Sequence, residues 1–97
     1  MSDLDRFIKT INEHMGELEE EFSVSSIGLF GSYVRDDQNT GSDLDILVEF
    51  STPISLLKFV SLKRTLSQLL GVNVDLVMKK GLKPRIGERI LSEVVYV

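Results

Sequence analysis

The alternation of apolar and polar residues along the chain predicts helices that alternate with strands. Apolar residues recur at helical spacing over residues 3–21 and 54–70, and a last helix starts at Pro84. Apolar and β-branched runs predict strands over residues 24–31, 44–50 and 72–78. With a short helical turn over residues 32–35, the predicted order is α-β-α-β-α-β-α, and residues 94–97 are compatible with an extended end.

Elements in this order predict an α/β (α+β) fold in which helices cover a small β-sheet. A chain of 97 residues can bury one core, so we expect a single domain over residues 1–97. The apolar fraction of 42% is ordinary for globular proteins, which argues against a disordered chain.

Composition removes several classes of function. The chain has no cysteine, which excludes disulfides, thiolate metal sites and a thiol nucleophile. It shows no signal-peptide pattern and no run near the roughly 20 apolar residues of a membrane span. We therefore expect a cytoplasmic protein without a membrane partner.

The formal net charge of −4 disfavours direct binding to a long nucleic acid, because such binders usually present a basic surface. Basic residues do cluster towards the end of the chain: Lys79, Lys80, Lys83, Arg85 and Arg89. Either these side chains contact a phosphate or a partner, or they are ordinary solvated residues, and the sequence leaves both interpretations open.

Acidic residues in the predicted strands are the first candidates for chemistry. Asp43 and Asp45 share one face of the second strand, roughly 6–7 Å apart, because strand residues alternate sides. Their oxygens can converge on one hard cation such as Mg²⁺. A capping role in the loop would also explain Asp43. It explains Asp45 less well, because aspartate is depleted inside strands, and a metal ligand is a good explanation for its position. Asp75, on the third strand, is by itself compatible with either a surface residue or a functional one.

The Gly31-Ser32 pair, where the first strand ends, is a second candidate. Backbone N–H groups at such a turn can hold phosphate oxygens, although glycine and serine are also common turn formers. Arg35 follows three residues later. It could face a phosphate or form an exposed salt bridge with Asp36 or Asp37.

The spacing of these candidates resembles the signature of the DNA-polymerase-beta-like nucleotidyltransferases, and most closely that of the small MNT (minimal nucleotidyltransferase) family. The signature is Gly-Ser, ten residues, and then Asp-x-Asp, and the pairs Gly31-Ser32 and Asp43-x-Asp45 fit it with the required spacing. The resemblance covers nearly the whole chain, because it extends to the third strand and to the segment 83–91.

The resemblance implies a mixed β-sheet with carboxylates gathered at one edge. Asp43, Asp45 and Asp75 would be the catalytic and metal-binding residues, with Asp75 matching the family's third carboxylate on a neighbouring strand. The implied metal is Mg²⁺, as two ions, with Mn²⁺ as the other option, and ATP is the implied substrate.

The resemblance also implies that Gly31, Ser32 and Arg35 bind the phosphates of the nucleotide. The family often has Ala-Arg-Gly where this chain has Val34-Arg35-Asp36. The arginine is therefore kept, while Asp36 adds a negative charge near the implied triphosphate.

MNT proteins commonly act as antitoxins beside a helical HEPN ribonuclease toxin. The resemblance therefore implies metal-dependent transfer of AMP from ATP to a hydroxyl, typically of a tyrosine, on a HEPN partner in a type VII-like toxin–antitoxin pair. One alternative is a catalytically vestigial module that neutralises a toxin by contact alone, and another is nucleotidyl transfer to a small molecule or an RNA end. The sequence leaves both a homodimer and a hetero-oligomer open.

Overall fold

The structure is a computed structural model that describes residues 2–39 and 41–97. Four α-helices and four strands form within these ranges, and a single 3₁₀ turn (Lys79–Gly81) follows the third strand. The helices are α1 (Asp3–Phe22), α2 (Ser32–Arg35), α3 (Leu56–Leu70) and α4 (Pro84–Glu93). The strands are β1 (Val24–Phe30), β2 (Leu44–Phe50), β3 (Val74–Met78) and β4 (Val95–Tyr96).

The helix boundaries follow from local capping. The hydroxyl of Ser2 accepts a hydrogen bond from the N–H of Asp5 at 3.2 Å, and that of Ser55 accepts one from the N–H of Lys58 at 3.2 Å. Because Ser55 is the cap, α3 begins two residues later than the predicted position 54, and left-handed Gly71 ends it as expected. Within the described ranges no helix has the length and apolarity needed to cross a membrane.

The strands form one mixed sheet in the order β3-β2-β1-β4. Strand β1 pairs antiparallel with both β2 and β4, whereas β2 pairs parallel with β3. The mixed α and β architecture and the predicted succession of helices and strands up to α4 are confirmed. The predicted order lacked β4, because a pattern of two exposed residues is too short to predict a strand. These residues form a strand only through their pairing with β1.

Helices α1 and α3 cover one face of this sheet and form the core with it. The buried core side chains include Phe7, Ile11, Leu29, Ile46, Leu62 and Leu66. The amphipathic stripes of the two long helices therefore explain which face is buried, and they leave the opposite face of the sheet for other contacts.

The C-terminal segment lies against part of that opposite face. Gly28 permits this approach, because a Cβ atom there would overlap the side chain of Val94 and would touch the ring of Tyr96. The N–H of Val97 donates to the carbonyl of Ile27 at 2.9 Å, which extends the backbone pairing of this segment with β1. The last residues of the chain are thus fixed beside the middle of β1, and the end of α4 lies towards Gly31.

Candidate functional site

Parallel pairing of β2 with β3 brings two predicted site residues together. Asp45 and Asp75 are direct partners in the register of the two strands, which are about 4.8 Å apart in any sheet. Asp45 is partly buried and Asp75 is exposed. Two residues that are far apart in the sequence therefore present their carboxyl groups side by side at the beginning of both strands.

The environment of Asp45 disfavours its charged form. Burial, followed by the negative charges of Asp75 and Asp43 and a hydrogen bond shared with Asp75, raises the pKa of Asp45 from 3.8 to about 6. The positive charge of Arg35 opposes this increase and is the smallest contribution. A carboxylate cluster with this excess of negative charge is chemically suited to a cation.

Asp43 lies one residue before β2 and is held by the residue that precedes β3. Asn73 Nδ2 donates to Asp43 Oδ1 at 2.9 Å, and the N–H of Leu44 donates to the carbonyl of Asn73 at 2.9 Å. Asp43 is exposed, and its charge acts on Asp45. The structure therefore places all three predicted carboxylates in one neighbourhood.

Gly31 joins this neighbourhood through direct contact with Asp45. Its backbone has φ 83° and ψ −154°, a conformation found almost only at glycine. A Cβ atom at position 31 would overlap the Asp45 carboxylate. Glycine is thus required here for two separate reasons, backbone conformation and the close approach of the acid.

Helix α2, which contains Ser32 and Arg35, is anchored to the core through Tyr33. The Tyr33 ring packs edge-on against Phe7 with ring centroids 5.3 Å apart, and its hydroxyl donates to the carbonyl of Ser42 at 3.4 Å. Tyr33 therefore links α1, α2 and the loop that leads to the acidic residues. This anchoring positions Ser32 directly after Gly31 at the edge of the site.

Arg35 contacts two acids at once. Its Nε atom lies 3.3 Å from Asp37 Oδ2, and its Nη1 atom lies 3.2 Å from Glu93 Oε2. Hydrogen bonds to Asp37 and Glu93 raise the pKa of this exposed arginine above its ordinary value. The salt bridge with Asp37 that the sequence offered as one alternative is present, and the contact with Glu93 is an addition from α4.

Glu93 is the residue of this neighbourhood that sequence reasoning missed. Besides contacting Arg35, its Oε1 atom accepts a hydrogen bond from the Gly31 N–H at 3.3 Å. The signal that could have found it is weak: a single acid directly before the apolar, β-branched end of the chain. Only the pairing of β4 with β1 brings that acid to Gly31.

The acidic residues are of the chemical type that binds a divalent cation, but their side chains are not arranged as a coordination shell in this structure. No group of three metal-ligating side chains is gathered around a common point within residues 2–39 and 41–97. One oxygen of Asp43 accepts the hydrogen bond from Asn73. Carboxylate oxygens are nevertheless the ligands that Mg²⁺ and Mn²⁺ prefer, and the raised pKa of Asp45 results from burial first and from the neighbouring negative charges of Asp75 and Asp43 second.

A separate cleft of about 560 Å³ lies at the other end of β2, next to Phe50, Pro53 and Met78. Along β2, Phe50 is roughly 16 Å from Asp45 at 3.3 Å per residue. Glu49 lines this cleft and is paired with Lys79 at 3.1 Å, so its charge is compensated. The excess of negative charge therefore lies at the Asp45 end of the sheet.

The raised pKa of Asp45 predicts how the stability of the metal-free protein depends on pH. Because the folded protein holds this proton more tightly than the unfolded chain, its free energy of unfolding falls as the pH rises from about 4 to above 6. The full shift would correspond to about 3 kcal/mol, and we expect roughly 1–2 kcal/mol because solvent screens a partly exposed group. Asp45→Asn should remove this loss and be more stable than wild type at pH 7, while the two should be alike near pH 4.

Chemical denaturation in the presence of a chelator, from pH 4 to pH 8, measures this effect. The matched control is Glu88→Gln, which removes a carboxylate from an exposed position on α4. Parallel pH curves for wild type and Asp45→Asn would contradict the assigned origin of the shift.

Comparisons with known proteins identify the family and the fold that this chain shares. The model of the nucleotidyltransferase domain family matches residues 11–97. The protein adenylyltransferase MntA of Thermococcus cleftensis is 50% identical over 97 residues, which are 100% of this chain and 98% of that protein. A solved structure provisionally named a minimal nucleotidyltransferase is 35% identical, with a TM-score of 0.77 and coverage of 98% of this chain and 95% of its own.

A more distant solved structure shares the fold. It is a complex of a tri-AMPylated Shewanella oneidensis HEPN toxin with an MNT antitoxin. The matching chain has a TM-score of 0.67 at 21% identity, and the match covers 93% of this chain and 70% of that one. At this identity the likeness concerns the arrangement of helices and strands.

Proposed function

Since this chain belongs to the nucleotidyltransferase domain family and is an enzyme of that type, we propose that it transfers AMP from ATP to a hydroxyl group of a HEPN toxin and thereby acts as the antitoxin of that toxin. The observation that carries the proposal is the meeting of Asp45, Asp75 and Gly31 at one end of the sheet. A phosphate-binding turn beside paired carboxylates is the arrangement that nucleotidyl transfer needs.

The nucleotide would bind with its triphosphate at the turn between β1 and α2. The Gly31 N–H and the Ser32 hydroxyl would donate to the β- and γ-phosphates, and the Arg35 guanidinium would offer a positive charge nearby. Gly31 lacks a side chain, so the backbone can come close both to the phosphates and to Asp45.

Asp43, Asp45 and Asp75 would hold the metal, for which Mg²⁺ as two ions, or Mn²⁺, is the proposed identity. When bound, such ions supply positive charge that stabilises the attacking and leaving oxygens of an in-line displacement. The three aspartates would also restrict where the triphosphate can lie, because any contact not mediated by a cation would be repulsive.

The chemical step is a displacement at the α-phosphorus of ATP. The oxygen of the acceptor hydroxyl forms a bond to that phosphorus, and the bond from the α-phosphorus to the oxygen bridging the β-phosphate breaks, which releases pyrophosphate. Asp75 is exposed and would accept the proton of the attacking hydroxyl. The product is an AMP ester of the acceptor, which we propose is a tyrosine of the toxin.

Two relatives support the partner class. The relative from Thermococcus cleftensis is named a protein adenylyltransferase, so its acceptor is a protein. The Shewanella oneidensis complex pairs an MNT antitoxin with an AMPylated HEPN toxin. We carry both properties over to this chain as part of the proposal, together with a hetero-oligomer as the working assembly.

The proposal is tested with ATP labelled at the α-phosphate, Mg²⁺ and a HEPN toxin from the same organism. We expect label on the toxin, located on a tyrosine by mass spectrometry as an added AMP. ATP labelled at the γ-phosphate is the matched control and should leave the toxin unlabelled, because that phosphate departs in pyrophosphate. An unlabelled toxin with folded wild-type enzyme in both reactions would reject the proposal.

A contact-only antitoxin is the second candidate function. One observation favours it: the described acidic side chains are not arranged around a common metal position. In that case the toxin would be neutralised without ATP. Omission of ATP from a toxin-inhibition assay separates the two candidates, since only the enzymatic one requires the nucleotide.

A further inference from the structure

Glu93, the last residue of α4, binds the groups that the proposed function assigns to the nucleotide phosphates. Its Oε1 atom accepts from the Gly31 N–H at 3.3 Å and from Arg35 Nη1 at 3.3 Å. Its Oε2 atom accepts from the same Arg35 nitrogen at 3.2 Å. The Glu93 side chain is only 22% exposed, so this carboxylate is inserted between its partners rather than extended into solvent.

The backbone of the C-terminal segment fixes Glu93 in this place. Strand β4 pairs antiparallel with β1 in a register that joins Leu29 to Val95 and Gly28 to Tyr96. Gly31 and Glu93 each lie two residues beyond the Leu29–Val95 pair, and Glu93 is already in α4. Strand pairing therefore brings the end of α4 close to Gly31, and the Glu93 side chain completes the contact.

A carboxylate and a phosphate compete for the same donors. Both are anions that accept hydrogen bonds from backbone N–H groups and from guanidinium, and one N–H cannot serve both well. Glu93 also adds a negative charge close to the site, where Asp45 is already affected by its acidic neighbours. An incoming triphosphate would therefore meet both an occupied donor and a repulsive charge.

We infer that Glu93 is an internal competitor of the nucleotide, which occupies Gly31 and Arg35 until a phosphate displaces it; this inference rests on the proposed function. The apparent affinity for a phosphate ligand is then the intrinsic affinity multiplied by the fraction of molecules in which Glu93 has released Gly31 and Arg35. Arg35 also contacts Asp37, and this second contact would keep the guanidinium close to the site after Glu93 leaves.

A positioning role for Glu93 makes the opposite prediction. If Glu93 served to hold Arg35 in the geometry that binds phosphate, its loss would weaken binding. If Glu93 competes, its loss should strengthen binding by about 3- to 10-fold, the size expected for a partly exposed ion pair together with one hydrogen bond. The sign of the change therefore distinguishes the two roles.

The experiment titrates inorganic triphosphate, with excess Mg²⁺, into ¹⁵N-labelled wild type, Glu93→Gln and Glu93→Ala, and follows the Gly31 amide resonance. Glu88→Gln is the matched control, because it removes the same charge from an exposed position of the same helix. We expect both Glu93 variants to bind about 3- to 10-fold more tightly than wild type and Glu88→Gln to remain near wild type. Thermal denaturation of each variant verifies that it is folded.

Two results would overturn the inference. If the Gly31 amide responds to triphosphate but the Glu93 variants bind no more tightly than wild type, Glu93 is not a competitor, while the proposed function stands. If the Gly31 amide responds in none of the proteins, the turn does not bind phosphate, and both the inference and the nucleotide placement in the proposed function fail.

Discussion

Replacing both Asp43 and Asp45 by asparagine is expected to lower the rate of AMP transfer to the HEPN toxin by about 1,000-fold or more, because the variant loses the charge that would hold the metal. The change is nearly isosteric, and the amide oxygen introduced at position 43 could still accept the hydrogen bond from Asn73. The measurement is the rate at which α-labelled ATP labels the toxin, with circular dichroism as the test of folding.

Glu49→Gln is the control for this variant. Glu49 shares the β2 strand with Asp45 but is paired with Lys79 at the other end of the sheet, so its neutralisation should leave transfer near the wild-type rate. Retention of full transfer by the double variant would exclude Asp43 and Asp45 as metal ligands. Loss of transfer with undiminished neutralisation of the toxin would instead favour the contact-only antitoxin.

Gly31→Ala is expected to reduce transfer by about 100-fold even when the protein is folded, because the new methyl group overlaps the Asp45 carboxylate and forces it to move. Separately, we expect Gly31→Ala to lower the free energy of unfolding by roughly 1–3 kcal/mol, because alanine rarely adopts the backbone conformation of Gly31. Transfer rates are therefore compared at a temperature at which denaturation curves show the variant to be folded.

Gly71→Ala separates the effect on the site from the effect of strain. Gly71 also has a positive φ of 71°, but a Cβ atom added there would meet nothing within 4 Å. We expect Gly71→Ala to lose roughly 1 kcal/mol of stability and to keep its transfer rate. Equal losses of transfer in the two variants would show that instability, and not the contact with Asp45, explains the Gly31 result.

Much of the fold could be predicted because its signals are local. The β2 bounds at Leu44 and Phe50 agree with the sequence pattern, since turn-rich residues precede an uninterrupted apolar run. The predicted start of α3, residue 54, was two residues too early. The hydrogen bond from the Lys58 N–H to the Ser55 hydroxyl, which marks Ser55 as the cap, is seen only in the structure. The family assignment is confirmed by the family model that matches residues 11–97. It could be made in advance because the spacing between Gly31-Ser32 and the Asp-x-Asp pair is a property of the sequence itself.

The candidate site was predictable only in part. Asp43 and Asp45 lie close together in the chain, so strand geometry alone brings them near each other. Asp75 needed the resemblance to become a candidate, and the parallel register of β2 with β3 then placed it beside Asp45. The roles of these acids in metal binding and catalysis stay predictions.

The sequence by itself determined where the helices and the first three strands lie and which aspartates and glycine could form a site, because periodicity and motif spacing are properties of neighbouring residues. Only the tertiary structure decided that Asp75 faces Asp45, that the Asp45 pKa rises, and that Glu93 reaches Gly31. These features depend on strand registers, such as the pairing of Gly28 with Tyr96, and on a side-chain hydrogen bond between residues 62 positions apart. Such long-range pairings are selected by the packing of the whole chain.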